Sequence, residues 1–143
     1  MATFNKINDF VEDWNAGLHD FNSNTFKYAL SNTAPASESS DPSADGNGVL
    51  ANVTEIAYTN IAEDRSISTT AITFSGGALT FDGDDETLTA SGGSVGPFQY
   101  IYLYNDTAAG DPLIGYWDRG SALTLNDGET VNLNLATNFF SLS

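Results

Sequence analysis

The stretch SVGPFQYIYLYND, residues 94–106, decides the fold class. Alternate side chains of a β-strand point to opposite faces of its sheet. Ile101 and Leu103 therefore share one face. The other face carries four aromatic side chains: Phe98, Tyr100, Tyr102 and Tyr104. Because a small antiparallel sheet normally keeps one face in water, a strand that is apolar on both faces needs a cover on each side.

The sequence around this stretch predicts short strands separated by turns. Apolar–polar alternation predicts strands over 25–32, 53–59, 71–81, 86–91, 98–104, 112–118 and 130–135. Gly76-Gly77 and Asp127-Gly128 each favour a hairpin turn. In the last strand, alternation turns three side chains inward: Val131, Leu133 and Leu135. This pattern predicts a mainly β chain, an antiparallel β-sandwich or barrel-like fold, as a single domain over residues 1–143.

The first fifty residues differ from the rest. Five apolar side chains at helical spacing predict a short amphipathic helix over 4–16, ending before Gly17. They are Phe4, Ile7, Phe10, Val11 and Trp14. Residues 31–48 are mostly Ser, Asn, Asp, Ala, Pro and Gly, so we expect a flexible surface loop. We expect the helix to cover one area of the sheet and a partner chain to cover another.

Charge and composition exclude several classes of function. Four Lys and Arg residues against nineteen Asp and Glu residues give a net charge of −15. This charge repels phosphate backbones and anionic lipids, so neither nucleic acid nor membrane is an expected partner. The chain has no cysteine, which excludes disulfides and thiolate chemistry. The N-terminus lacks the features of a signal peptide, and we expect synthesis in a cytoplasm without export.

The sequence offers little catalytic machinery. His19 is the only histidine, and a catalytic triad would have to use it. Its place after the predicted helix indicates an exposed or helix-end side chain. No serine lies in a Gly-x-Ser-x-Gly turn. We therefore expect neither an enzyme nor a bound cofactor.

Two acidic segments are weak candidates for a metal site. Asp41, Ser43, Asp45, Gly46 and Asn47 imitate the first half of a calcium loop, but its twelfth position is Asn52 instead of a bidentate Glu. The alternative is a polar loop without metal. Asp82 and Asp84 belong to the acidic segment DGDDE, residues 82–86, which is also typical of a solvated turn between strands.

The aromatic side chains are the predicted interaction residues. They are Phe98, Tyr100, Tyr102, Tyr104, Trp117, Phe10 and Trp14. A carbohydrate-binding platform would use exposed aromatics on loops. Because these residues lie in predicted strands and a helix, a β core and a subunit contact are the favoured interpretation.

Two stretches resemble a family of small virion-associated proteins of tailed bacteriophages. The opening, residues 2–35, is similar to the family's FNxFVED…GxH and TxKxALxNTAP motifs. The matching residues are Phe4, Asn5, Phe10, Val11, Glu12, Asp13, Gly17, His19, Lys27, Ala29, Leu30, Asn32, Thr33, Ala34 and Pro35. The second stretch, residues 89–135, is similar through Gly96-Pro97-Phe98, LYND, DPLIGYWD and LNDGET. The middle of the chain, residues 36–75, departs from the family's glycine-rich pattern.

The resemblance implies a structural role in a phage particle. The expected role is a capsid decoration (cement) protein that binds the major capsid protein on the outer surface of the head. It implies a homo-oligomer, such as a trimer, that is made in the host cytoplasm and located in the virion. Two alternatives stay open: a tail or head–tail connector component, and a carbohydrate-binding adhesion module on the particle.

Overall fold

The computed structural model describes residues 3–37, 41–135 and 140–142. One α-helix and a short 3₁₀ turn accompany the strands. The helical elements are α1 (Asp9–Asn15) and the 3₁₀ turn Leu50–Asn52. The strands are β1 (Phe4–Lys6), β2 (Phe26–Ser31), β3 (Ser66–Ile67), β4 (Thr69–Ser75), β5 (Ala78–Gly83), β6 (Glu86–Thr89), β7 (Val95–Asn105), β8 (Leu113–Leu125), β9 (Thr130–Leu133) and β10 (Phe140–Leu142). The prediction of a mainly β chain with one short N-terminal helix is confirmed.

The strands form three antiparallel sheets. The largest has the order β1-β8-β7-β2-β3, and the two smaller ones have the orders β10-β5-β4 and β6-β9. Strand β7, which forms from residues 95–105 of the stretch SVGPFQYIYLYND, is the middle strand of the largest sheet. This central position gives the backbone of β7 hydrogen-bonding neighbours on both edges, while its two apolar faces each need a separate cover above and below the sheet.

The main core lies between one face of the largest sheet and the two smaller sheets. The largest sheet contributes Phe26, Tyr28, Leu30, Ile101, Leu103, Ile114 and Trp117. Phe81 of β5, Leu88 of β6 and Leu133 of β9 pack against them from the opposite layer. This two-layer packing is sandwich-like. Val131, Leu133 and Leu135 turn inward as the alternation predicted, while the residues between them are exposed.

The helix is shorter than predicted. Phe4–Lys6 forms strand β1 and pairs with β8, where Phe4 lies opposite Trp117 with ring centroids 4.9 Å apart. The helical start at residue 4 is therefore wrong, because pairing with the edge of β8 gives these residues both backbone partners and an aromatic contact. Phe10 and Trp14 belong to the main core, not to the tyrosine face, and Val11 is 50% exposed.

Three local predictions had different outcomes. The hairpin at Gly76-Gly77 is confirmed, with φ of 60° and 83° at its two glycines. The strand predicted over 53–59 is wrong, because this segment makes only an isolated bridge between Glu55 and Ser31. The turn at Asp127-Gly128 forms, but β9 pairs with β6 instead of β8, so the hairpin predicted there is wrong.

Candidate functional site

The second face of the largest sheet carries the tyrosines of β7, and the chain itself covers it. Tyr102 is 0% exposed and Tyr104 2% exposed. The side chains packed with them include Ile7, Leu50 and Val53, which come from segments outside the sheet. Covering these two tyrosines therefore does not require a second subunit. The predicted homo-oligomer stays a prediction.

The glycine-containing segment 41–53 supplies much of this cover. A Cβ atom added at Gly46 would lie 3.2 Å from the hydroxyl oxygen of Tyr102. Gly48 accepts a hydrogen bond from the N–H of Leu113, at 2.9 Å, which fastens the segment to the start of β8. Gly46 and Gly48 are both buried. In the surface loop predicted over 31–48, most described residues are exposed, but Gly46 and Gly48 are buried and Gly46 packs on the ring of Tyr102.

The half calcium loop is closed by its own hydrogen bonds. Asn52 Nδ2 donates to the carbonyl oxygens of Pro42 and Asn47, and Asn47 Nδ2 donates to that of Asp41. Asp45 Oδ1 accepts the backbone N–H of Thr54 at 2.6 Å. Amide donors thus occupy oxygens that a calcium ion would need. Within the described ranges, no three His, Cys, Asp or Glu side chains come together as a metal-binding group.

The acidic segment 82–86 behaves as a turn between β5 and β6. Asp82 is half-buried in β5, and Asp84 is exposed beyond its end. Glu86 accepts the backbone N–H of Ser68 at 3.3 Å. Burial raises the pKa of Glu86, and the neighbouring carboxylates of Asp84 and Asp85 raise it further.

The remaining predicted interaction residues contribute to the main core. Phe10, Phe98 and Trp117 are 0–3% exposed, and Trp14 stacks on Phe21 with ring centroids 5.2 Å apart. Phe98 does not share the tyrosine face, so that prediction is wrong. The pairing register of β7 shifts between Phe98 and Tyr100, and strict alternation is lost across the shift.

His19 is part of a buried polar network that the sequence did not indicate. It is 7% exposed, and its Nδ1 lies 3.2 Å from Asn105 Nδ2. Asn105 Oδ1 accepts the N–H groups of Thr107 and Ala108, which orients its amide nitrogen towards the histidine. Burial lowers the pKa of His19 to about 4. The expectation of an exposed or helix-end histidine is wrong, because α1 ends at Asn15 and His19 is buried against a partner distant in sequence.

An exposed apolar hairpin is the most accessible candidate interaction surface. We call β4, β5 and the turn between them the 69–83 hairpin. Phe74, next to its turn, is 74% exposed. It lies opposite Leu79, and Ile72 lies opposite the buried Phe81 on the same face of the hairpin. The signal in the sequence was the absence of charge, because no Asp, Glu, Lys or Arg occurs from Ser66 to Phe81.

Comparison with known proteins identifies no relative of this chain. No family model, curated protein or solved structure matches the chain.

Within the part of the chain that the structure describes, no helix has the length and apolar character needed to span a membrane.

Proposed function

We propose that this chain is a non-catalytic structural protein of a tailed-phage particle, a decoration protein that binds the major capsid protein on the outer surface of the head. The resemblance of residues 2–35 and 89–135 to virion-associated proteins supports the phage assignment. The observation that carries the mode of attachment is the exposure of Phe74 on the 69–83 hairpin. This hairpin is the surface that contacts the shell.

The hairpin carries an apolar stripe from the core into solvent. At its base, Phe81 is 0% exposed and packs in the main core, with Ile72 against it. Two residues further from the base, the same face presents Leu79 and Phe74. Phe74 therefore continues the core-facing side of the hairpin beyond the core. A projecting aromatic side chain of this kind is the usual centre of a protein–protein contact.

The charge distribution favours the same surface. The chain has a net charge of −15, whereas residues 66–81 carry no charged side chain. Like charges repel, so an acidic protein approaches another protein most easily through its uncharged region. Strand β4 is also an edge of its sheet, with β5 as its neighbour. Its outer backbone groups can accept an added strand from the partner.

Copies on one shell need not bind tightly as single molecules. A standard interface buries ~1,600 Å² in total, more than one hairpin tip can supply. Neighbouring copies on a shell that also touch one another gain from effective concentration, which can strengthen overall binding by ~10²–10⁴. The proposed homo-oligomer on the capsid would supply these additional contacts.

Replacement of Phe74 by serine tests the attachment surface. Purified variant and wild-type chains are added to particles that lack this protein, and the bound fraction is measured after sedimentation. We expect Phe74→Ser to lower the apparent affinity about tenfold or more, because a central aromatic contact is lost. Leu18→Ser is the matched control, since Leu18 is also an exposed apolar side chain, at 41%, but lies outside the hairpin. Equal binding by both variants and wild type would rule out the hairpin as the contact.

Counting copies on the particle separates the decoration role from its structural alternative. A decoration protein repeats over the symmetric shell, so images of the particle are expected to locate hundreds of copies, on the order of the number of shell subunits. A tail or connector component would form one ring at a single vertex. Density for this chain in such a ring alone would contradict the decoration role.

A further inference from the structure

A cleft opens between the two layers of the sandwich, beside β8 and β9. Its volume is about 490 Å³, which lies in the usual range of small-molecule sites, ~300–1,000 Å³. Ile101 and Trp117, each at most 4% exposed, form an apolar floor. Asp118 and Arg119 line the cleft from β8, and asparagines line it from β9. The cleft therefore combines an apolar base with a polar rim.

A bulge in β8 shapes this rim. Phe98 pairs with Leu123 and Tyr100 pairs with Asp118, so the four residues 119–122 oppose the single residue Gln99. Bulges often direct side chains into functional sites. Asp118 stabilises the bulge through Oδ1, which accepts hydrogen bonds from Gln99 Nε2 at 2.9 Å and from the N–H of residue 120 at 2.7 Å.

The second carboxylate oxygen of Asp118 remains available as an acceptor. In residues 3–37, 41–135 and 140–142, no group donates to Asp118 Oδ2. Its partners on Oδ1 hold the carboxylate in one orientation. An oriented acceptor at the rim of a cleft is a positioned hydrogen-bonding group for a ligand.

Arg119 is a cation that forms no ion pair within the described ranges. Arg65 and Lys27 each pair with a carboxylate, at 3.5 and 3.0 Å. Arg119 instead donates to the backbone oxygen of Ser121 at 3.3 Å, and its guanidinium carbon lies 5.6 Å from the ring centre of Phe98. A guanidinium carries five N–H donors. An arginine without a carboxylate partner in so acidic a chain therefore offers several donors to the cleft.

We propose that this cleft binds a neutral sugar. Asp118 supplies an acceptor, Arg119 supplies donors, and the exposed amide of Asn134 supplies both, while Asn132, whose Oδ1 accepts from Thr87 Oγ1, supplies N–H donors. A sugar hydroxyl can donate and accept hydrogen bonds at the same time, so a ligand with several hydroxyls can pair with both the donors and the acceptors of the rim. An anion would leave the acceptors unpaired, and a cation would leave the donors unpaired. Ile101 and Trp117 are buried at the base of the cleft, so recognition falls to the hydrogen-bonding groups of its rim. The net charge of −15 disfavours acidic sugars.

Saturation-transfer NMR of the full chain tests this assignment. The probes are glucose, galactose, mannose, N-acetylglucosamine and their disaccharides, with glucuronic and N-acetylneuraminic acids as acidic counterparts. We expect transfer to at least one neutral sugar and none to the acidic ones. Arg119→Gln and Asn134→Leu are each expected to weaken that binding about tenfold, the effect of losing one hydrogen-bonding group of ~1.4 kcal/mol.

Asn22→Ala is the control, because Asn22 is an exposed asparagine outside the cleft. We expect this variant to bind the sugar with the same affinity as wild type. Thermal unfolding of every variant confirms that the fold is retained. The proposal is overturned by binding of acidic sugars alone, by absence of binding to all probes, or by cleft variants that fold and bind as wild type does. None of these outcomes depends on Phe74, so attachment to a capsid is tested separately.

Discussion

At the scale of single residues, the buried network around Asn105 holds the N-terminal region to the central strand. Asn105 ends β7, and its amide nitrogen lies within hydrogen-bonding distance of the Leu18 carbonyl, Asn24 Oδ1 and His19 Nδ1. Because an amide nitrogen only donates, His19 Nδ1 can act only as an acceptor towards it. Protonation of Nδ1 would place two donors against each other in a buried site.

This arrangement predicts a specific dependence of stability on pH. The pKa of His19 is about 4 in the folded chain and ~6.5 in the unfolded chain. The unfolded chain therefore binds the proton first. The contribution of neutral His19 is fully present above pH ~6.5 and is lost as the pH falls towards ~4, by about 3 kcal/mol in total.

Urea unfolding of wild type and of His19→Gln between pH ~7 and ~4 gives the free energy of unfolding of each protein. The carboxylates titrate in both proteins, so their effect cancels when the two free energies are subtracted. We expect the stability advantage of wild type to shrink across this interval. Parallel curves for the two proteins would show that His19 titrates normally in the folded state.

At the scale of elements, segment 41–53 is held over the sheet by backbone hydrogen bonds together with the side chains of Leu50 and Val53. The N–H of Leu50 donates to Asp111 at 3.0 Å, and the N–H of Ala36 donates to Asp45 at 2.8 Å. Gly46 then fits against the ring of Tyr102 because it has no Cβ atom. The absence of a side chain is what lets this segment approach the aromatic face closely.

Two glycine substitutions distinguish the packing of Gly46 on Tyr102 from the strain of a left-handed backbone. Gly46 and Gly17 have nearly equal φ angles, +78° and +77°, but only Gly46 has neighbours within 4 Å of an added Cβ. Both Gly→Ala variants lose about 1 kcal/mol from the left-handed backbone. We expect Gly46→Ala to lose a further ~1–3 kcal/mol from overpacking. Equal losses for the two variants in urea unfolding would show that segment 41–53 is not packed on Tyr102.

The same elements show what could be predicted from sequence and what could not. The hairpin at Gly76-Gly77 was predictable because its turn and its pairing are both local. At Asp127-Gly128 the turn was equally local, but β9 pairs with β6, which lies some forty residues earlier in the chain, and no local pattern specifies that choice. The exposed Phe74 had a signal in its uncharged surroundings. The cover over Tyr102 had none, because Gly46 contributes no side chain and Leu50 and Val53 lie in a mainly polar segment.

At the scale of the whole molecule, the chain is a sandwich-like fold that covers both faces of its largest sheet. One face packs against the two smaller sheets, and the other is covered by Ile7 and segment 41–53. In this fold Tyr102 and Tyr104 are buried, Tyr100 and Tyr116 are half-buried, and the apolar surface left outside includes Phe74 at 74% exposure. The proposed attachment through the 69–83 hairpin is based on this distribution, because Phe74 is exposed whereas Tyr102 and Tyr104 are buried.

Nitration of tyrosines in the folded monomer tests this central claim most directly. The chain is treated with tetranitromethane at neutral pH, at a concentration where sedimentation shows a monomer, and the sites are identified by mass spectrometry. We predict that the half-buried Tyr116 reacts, while Tyr102 and Tyr104, at 0% and 2% exposure, stay unmodified until the chain is unfolded. Nitration of Tyr102 in the folded monomer at the rate of Tyr116 would contradict the account, because the face would then be open to water and in need of a partner.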